Sequence, residues 1–137
     1  DMQAAFLELE WNREEDFHGY WNPVGGLGWE DKVQQHTTVD FIGVELQGDD
    51  PLALAHHWAN VTDLNVNTET DTPVIHFNNA ALHFVHASDG RGPGLGGLHI
   101  RVNDRAAILQ NAKRRDCYVN EDQLDICGTR WYLHDST

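Results

Sequence analysis

Four segments of this chain place histidine, glutamate, arginine and tyrosine side chains at positions that alternate with apolar ones. Successive side chains of a strand point to opposite faces, so the polar members of each segment share one face. His83, His99 and Glu45 lie on that face. Imidazole titrates near neutral pH and a carboxylate can orient it, so these residues could transfer protons or hold a metal ion. Because nine histidines are scattered through the chain, a solvated or dimer-facing sheet surface is the alternative interpretation.

Other polar side chains are assigned to the same face by the same alternation. Arg101 and Arg130 could fix a carboxylate or phosphate through paired hydrogen bonds, or could neutralise nearby acids in an acidic chain. Asp125 and His134 complete the face. The candidate catalytic residues are His83, His99, Glu45 and Tyr132. The candidate ligand-binding residues are Arg101, Arg130, His76 and Gln47.

Four further residues have side chains with useful chemistry but are predicted to be structural. His56 and His57 are neighbours on a helix and cannot both face one ligand, so we interpret them as surface residues. Trp21 and Trp29 could stack on an aromatic ligand, but clamping an irregular segment onto its own domain is the favoured interpretation.

The elements that position these side chains are predicted from an internal duplication. The stretch FIGVELQGDDPLALAHHWANV from Phe41 is echoed by GGLHIRVNDRAAILQNAKRRD from Gly96. Each stretch is typical of a strand, an acidic turn residue and a short amphipathic helix, followed by further strands. We therefore predict two βαβββ units, spanning about residues 40–88 and 96–135.

The first unit has clear start and turn signals. Asp50 before Pro51 predicts a helix start, because Asp caps free N–H groups and Pro suits the first helical position. VIHFN and ALHFVHA alternate as two strands joined by a tight turn at Asn78 and Asn79. The strand between the helix and VIHFN is predicted to be weak or short. The inward face of the helix is predicted to be Leu52, Ala55, Trp58 and Ala59.

The second unit repeats this order in fewer residues. GLHIRV leads to Asp104 as a helix cap, and CYV, QLDIC and TRWYLH supply the later strands. ASDGRGPGLGG, between the units, predicts a flexible crossing. Together the units predict one α+β domain, residues 40–137, with a cup-shaped mixed sheet and its helices outside. The inward face of the second helix is predicted to be Ala107, Ile108 and Ala112.

Residues 1–39 belong to neither unit. AFLELEW alternates as a strand over Ala5–Trp11, and the aromatic and Gly-rich stretch after it predicts an ordered, irregular arm. An unpaired apolar strand invites association. We therefore expect a two-fold homodimer in which the arm or its strand crosses to the partner.

The composition of the chain limits the classes of partner that it could bind. A net charge of −13 repels a phosphate backbone, which argues against nucleic acid, and Lys113, Arg114 and Arg115 suit the end of a helix dipole. No run of ~18 apolar residues and no secretory leader is present, so we expect a cytoplasmic protein without membrane contact. Cys117 and Cys127 lack metal-type spacing and are interpreted as reduced thiols.

The paired units resemble the vicinal oxygen chelate superfamily, the glyoxalase, bleomycin-resistance and dioxygenase fold. The resemblance spans Thr38 to His134 and rests on GVELQGDDPLALAHHWANV, ALHFVHASDGRGPGLGGLHIRVNDRAA and ICGTRWYL. These segments are similar to the final domain of two-domain glyoxalase-like proteins of mostly unassigned function. AFLELEW and the arm are similar to the end of the preceding domain and its linker.

The resemblance also bears on metal binding. Metal-holding members generally place a His on the first strand of each unit and a Glu on the last strand. The first-strand positions correspond here to Gly43 and Gly97, which have no ligating side chain. The Glu positions correspond to Tyr132 and, in one register, to His83, whereas Glu8 fits the pattern from the N-terminal strand. The resemblance therefore implies that the usual four-ligand site is missing, and we predict no metal and no cofactor.

Three functions stay open on the sequence alone. The first is a module that binds or sequesters a small organic molecule in the cup. The second is a lyase, isomerase or dioxygenase-type enzyme that uses His83, His99, Glu45 and Tyr132. The third is a degenerate structural or oligomerisation module whose cup is filled by another subunit.

Overall fold

The computed structural model of the protein describes residues 3–8 and 25–136. A short 3-10 helix at Glu30–Lys32 precedes the two units. The first unit comprises β1 (Thr38–Gly48), α1 (Pro51–Thr62), β2 (Val66–Asn67), β3 (Val74–His76) and β4 (Ala81–His86). The second unit comprises β5 (Gly94–Val102), α2 (Arg105–Arg114), β6 (Tyr118–Asn120), β7 (Gln123–Ile126) and β8 (Thr129–Asp135). Both predicted βαβββ units are confirmed, including the two-residue strand after α1.

The ten elements form one curled, unclosed sheet of eight strands with two helices, in the order β2-β3-β4-β1-β5-β8-β7-β6. Within each unit the first strand runs parallel to the last, and the two first strands pair antiparallel at the centre of the sheet. The two units therefore join edge to edge through β1 and β5. The predicted α+β class and cup shape are confirmed.

Both helices begin at the predicted caps. The Asp50 carboxylate accepts a hydrogen bond from the Ala53 backbone N–H at 3.0 Å, and the Asp104 carboxylate accepts one from Ala107 at 2.9 Å. Each cap satisfies an N–H group that the helix itself cannot pair. Within the described residues, neither helix has the length and hydrophobicity needed to cross a membrane.

Two apolar clusters lie between the helices and one face of the sheet. The first is formed by Leu46, Leu54, Ala55, Trp58, Ile75 and Phe84. The second is formed by Ile100, Val102, Leu109, Ala112, Leu124 and Leu133. Because Leu46, Phe84, Ile100 and Leu133 face the helices, alternation turns their strand neighbours to the opposite, concave face. The predicted division of the strands into a helix face and a cup face is correct.

The predicted inward faces of the helices need two corrections. Leu54, not Leu52, is buried in α1, and Leu52 is exposed. The two positions differ by about 200° around the helix axis, so both cannot face the sheet. In α2, Leu109 and Ala112 are the buried residues, and Ile108 is only half-buried.

The segment between the units is more ordered than predicted. Residues 94–97 belong to β5, and Gly96 is the extra residue of a bulge between the pairs Glu45–Gly97 and Leu46–Leu95. Asp89 organises the preceding turn by accepting a 2.9 Å hydrogen bond from the backbone of Arg91. The prediction of a flexible crossing is therefore wrong for these residues.

The predicted N-terminal strand is not formed over its described part. Residues 5–8 are not in a strand. Just before them, Gln3 and Ala4 have φ values of 46° and 68°, so the backbone turns where it enters this segment. Ala4 and Ala5 pack against the first apolar cluster, and the Trp58 indole donates to the Gln3 carbonyl at 3.3 Å. Packing on α1 has replaced strand pairing. Positions 9–11 of the predicted strand, and residues 9–24 of the arm, lie outside the described residues.

Candidate functional site

Three rings form a stack across the middle of the concave face. The His83 and His99 ring centroids are 4.2 Å apart with an interplanar angle of 24°, and those of His99 and Tyr132 are 4.7 Å apart at 22°. Their positions follow from the sheet register. His99 is opposite Gly43 on β1 and Tyr132 on β8. His83 lies on β4, on the other side of β1, where it is opposite Glu45. Because Gly43 has no side chain, the rings of His83 and His99 can meet across β1.

The histidines of this stack are held in their neutral form. Burial lowers the pKa of His99 to about 4, and the nearby His83 and His134 add to the effect. Burial also lowers the pKa of His83, while the charge of Glu45 opposes the shift. His99 Nδ1 and His134 Nε2 are 2.9 Å apart, so one ring donates a hydrogen bond to the other. Near pH 7 the imidazoles of His83 and His99 can accept protons, and they carry no anion-binding charge.

Beside the stack, a buried polar network crosses three elements. Arg130 on β8 donates from Nε to Glu45 Oε1 at 2.8 Å and from Nη2 to Gln47 Oε1 at 2.8 Å. Its Nη1 is 3.4 Å from Asp89 Oδ2. Glu45 and Gln47 are 6% and 1% exposed, so the arginine neutralises a carboxylate that water scarcely reaches. Because of this pairing, Glu45 can serve as a structural charge as well as a group that takes part in catalysis.

Gln47 extends the network to the turn before β5. Its Nε2 donates to Asp89 Oδ1 and to the Gly92 carbonyl, both at 2.8 Å. Hydrogen bonds from Arg91 hold the pKa of Asp89 well below its usual range. Both hydrogen bonds that the Gln47 side chain donates are therefore made to this turn.

Tyr132 connects the stack with the network. Burial raises the pKa of its phenol, and the charge and hydrogen bond of Glu45 raise it further, while Arg130 opposes the shift. Tyr132 is therefore a protonated phenol at neutral pH. A neutral imidazole at His83 and a phenol O–H at Tyr132 make a possible base and acid on one surface.

A cleft of about 400 Å³ opens beside the rings. His76, His83, His99 and Tyr132 line it together with the buried Glu45. Val74 and Val85 give it apolar surface. β2 and the segment after it supply polar groups from Asn67, Glu69, Thr70 and Thr72. The cleft brings together five of the eight candidate residues predicted from the sequence.

The two glycines at the expected metal positions are in close contact with other groups. A Cβ at Gly43 would lie 3.0 Å from the Ala81 carbonyl oxygen and 3.3 Å from His99 Cβ. A Cβ at Gly97 would lie 2.9 Å from Tyr132 Cε2 and 3.0 Å from the Arg130 carbonyl oxygen. The ring stack and Arg130 thus occupy the space that ligating side chains would need. The residues at these positions therefore do not fit the four-ligand metal site that is usual in the superfamily which the sequence resembles.

Within residues 3–8 and 25–136, no three His, Cys, Asp or Glu side chains are arranged to hold a metal ion. His99 Nε2 is nevertheless buried and lacks a hydrogen-bond partner among the described residues.

Other predicted residues lie elsewhere. Arg101 pairs with Asp40 at 3.2 Å, outside the cleft lining. Asp125 is opposite Arg130 in the sheet register but exposed. The candidates set aside as structural do not line the cleft: His56, His57 and Trp29. Trp21 lies outside the described residues.

Asp89 and Glu69 are site residues that sequence reasoning missed. Both lie in turn-rich segments outside the strands, where alternation gives no orientation. Asp89 had one available signal, since SDGRG is a typical turn sequence in which Asp bonds its own backbone two residues on. Its contact with Gln47 depends on tertiary folding.

Comparison with solved structures finds the same fold. Methylmalonyl-CoA epimerase from Mycobacterium tuberculosis matches with a TM-score of 0.54 and 13% identity over 77% of this chain and 93% of that chain. A xylose isomerase-like TIM barrel/4-hydroxyphenylpyruvate dioxygenase fusion protein matches with a TM-score of 0.57 and 15% identity over 75% of this chain and 20% of that chain. A hypothetical protein from Staphylococcus aureus matches with a TM-score of 0.51 and 11% identity over 78% and 36% of the two chains.

No protein-family model matches the sequence, and a search of the curated proteins finds no significant match. The structural matches, which include a member of the vicinal oxygen chelate superfamily, show that this chain has a glyoxalase-like fold of that type. At these identities the likeness concerns the fold and not the reaction.

Proposed function

We propose that this glyoxalase-like domain binds a small organic molecule in the concave cleft beside the His83–His99–Tyr132 stack, without the metal typical of the resemblance. The observation that carries the proposal is the cleft itself. Its volume of about 400 Å³ is within the range of about 300–1,000 Å³ common for small-molecule sites. Valine surface next to a few convergent polar groups is the composition expected of such a site.

Preorganisation supports the same proposal. The rings are stacked on one another, and Arg130, Glu45 and Gln47 are fixed by buried hydrogen bonds. A ligand that enters would therefore meet side chains that need little further ordering, which favours binding.

A fragment screen followed by histidine NMR tests the proposal. With imidazole carbons labelled, ligands of the cleft should shift the His83 and His99 resonances and leave His56, on the outer helix, unchanged. His83→Ala should weaken binding at least about fivefold, as expected for the loss of a stacked ring. His83→Phe keeps a ring if the alanine variant does not fold, and His56→Ala is the matched control. Hits that move only His56, or that bind His83→Ala unchanged, would exclude the cleft.

A second candidate function is proton-transfer catalysis, without assignment among lyase, isomerase or dioxygenase-type reactions. The neutral His83 and the protonated Tyr132 support it, because together they offer a base and an acid to one bound molecule. His99 and Glu45 would position them.

Deuterium exchange tests this second function. A cleft ligand with a C–H bond next to a carbonyl should exchange that hydrogen in D₂O faster with the protein than without it. His83→Gln and Tyr132→Phe should each slow exchange by about 100-fold or more. Binding without exchange above the uncatalysed rate would leave the protein a binding module.

We also propose that the domain works as a homodimer joined through residues 1–39. Phe6 is fully exposed and Leu7 partly so, directly after a segment that packs on α1. Exposed apolar side chains at that point support association with a second copy.

A further inference from the structure

Among the described residues, the concave face carries two arginines, and both are already paired. Each guanidinium nitrogen of Arg130 faces an acceptor: Nε faces Glu45, Nη2 faces Gln47 and Nη1 faces Asp89. Arg101 is ion-paired with Asp40 and does not line the cleft. A ligand anion in the cleft would have to compete with Glu45 and Asp89 for the guanidinium of Arg130, and Arg101 lies outside the cleft lining.

In the described part of the cleft lining, carboxylates outnumber lysines and arginines. Among the described residues that line the cleft there is no Lys or Arg, whereas two are glutamates. Arg130 balances Glu45. The Glu69 carboxylate is exposed at the rim and accepts a 3.5 Å hydrogen bond from the neutral amide of Asn67. It forms no ion pair with any of the described residues.

We infer that the cleft selects planar ligands that are neutral or positively charged, and discriminates against carboxylates and phosphates. This inference rests on the proposed binding function. The stacked rings and valines supply a surface for a flat molecule, and Glu69 supplies the only charge at the rim without an ionic partner among the described residues. The charge of −13 on the whole chain acts in the same direction at low ionic strength.

Three probes of nearly identical shape separate charge from fit: benzamidinium, benzamide and benzoate. Their binding to the intact chain at neutral pH and low ionic strength can be followed through the His83 imidazole resonances. We expect benzamidinium to bind about tenfold or more tightly than benzoate, with benzamide between them. Added salt should narrow the difference.

Two variants test whether Glu69 is the source of the preference for benzamidinium. Glu69→Gln should bring the affinity for benzamidinium close to that for benzamide. Asp116→Asn removes the same charge at the end of α2, beyond the opposite face of the sheet, and should leave the order unchanged. An equal loss in both variants would assign the preference to overall charge and overturn the role of Glu69.

Two outcomes separate this inference from the function on which it rests. If benzoate shifts His83 at concentrations equal to or below those needed for benzamidinium, the selectivity is wrong while the cleft remains a binding site. If neither these probes nor any fragment of the screen shifts His83 or His99, the proposed function fails as well.

Discussion

At the scale of single residues, the concave face keeps charge low by two means. Arg130 neutralises the buried Glu45, and burial holds His83 and His99 in their neutral forms. Groups held in an unusual protonation state make folding depend on pH. The same groups determine what the cleft can bind.

The first prediction concerns pH. His99 has a pKa of about 4 in the folded chain and an ordinary value of 6.5. A lowered pKa means that folding favours the neutral ring. Its contribution is therefore complete above pH 6.5 and is lost as the pH falls from 6.5 towards 4. Because solvent screens a half-buried ring, we expect a loss of about 1–2 kcal/mol.

Urea unfolding of the wild type and of His99→Phe at pH 7.5, 6 and 5 measures this contribution. The variant keeps a ring in the stack but cannot titrate, so its stability should fall less with acidification. An identical pH dependence in the two proteins would show that His99 does not contribute.

The second prediction is that purified protein carries less than one equivalent of Zn, Ni, Fe or Mn per chain. Glycines at positions 43 and 97 provide no ligands, and sites of low ligand count bind weakly. Elemental analysis decides this. A tightly bound metal that disappears in His83→Ala or His99→Ala would show that a displaced site exists.

At the scale of elements, the site depends on how closely β1, β5 and β8 approach one another. Gly43 on β1 and Gly97 on β5 leave room for the ring stack and for Arg130. The bulge at Gly96 then brings β5 against the Glu45–Arg130–Gln47 network.

The third prediction is that Gly97→Ala destabilises the protein by about 1–3 kcal/mol, the usual cost of overpacking. Its Cβ would lie 3.0 Å from a backbone oxygen of β8, which cannot move alone. Gly94→Ala, on the same strand, is the control, because the nearest atom to its Cβ is 4.0 Å away. Equal urea midpoints for the two variants would contradict the close approach.

The fourth prediction concerns the ion pair that joins the two units. Arg130→Met leaves the buried Glu45 without its cation and should cost about 3–5 kcal/mol. Adding Glu45→Gln should recover part of that loss, since no buried charge then remains. A double-mutant cycle in urea measures the coupling. Strictly additive effects would mean that the pair does not act as a unit.

At the scale of the whole molecule, the cleft is assembled across both units. β3 and β4 of the first unit contribute His76 and His83, and β5 and β8 of the second contribute His99 and Tyr132. The antiparallel pairing of β1 with β5 places these groups on one curved surface. Neither unit has the site alone.

The fifth prediction concerns assembly through the N-terminus. A fully extended arm from Phe17 to Thr38 would span ~70 Å. The 3-10 helix at Glu30–Lys32 shortens that reach, so arm exchange requires the residues before this helix to extend towards a second copy. We expect the intact chain to be a dimer in light scattering at micromolar concentration. Deletion of residues 1–12 should give a monomer or an aggregate. A monomeric intact chain, or an unchanged dimer after the deletion, would refute arm exchange.

The sequence by itself determined the elements and the orientation of their side chains. Duplication and alternation are local properties, so the two βαβββ units, the caps at Asp50 and Asp104, and the cup-facing positions of Glu45, His83, His99 and Tyr132 could all be predicted. The face of α1 was misjudged at Leu52 because an apolar residue at a helix start fits more than one inward face.

Only the tertiary structure decided how those side chains are used. Which ring stacks on which depends on strand order and register, and the pairing of Arg130 with Glu45 and Asp89 joins residues 85 and 41 positions apart. Protonation states follow burial, which no local pattern supplies. The same holds for Ala5, which belongs to a segment that alternates like a strand. Ala5 instead packs against the first apolar cluster, because contact with residues distant in the sequence outweighs local preference.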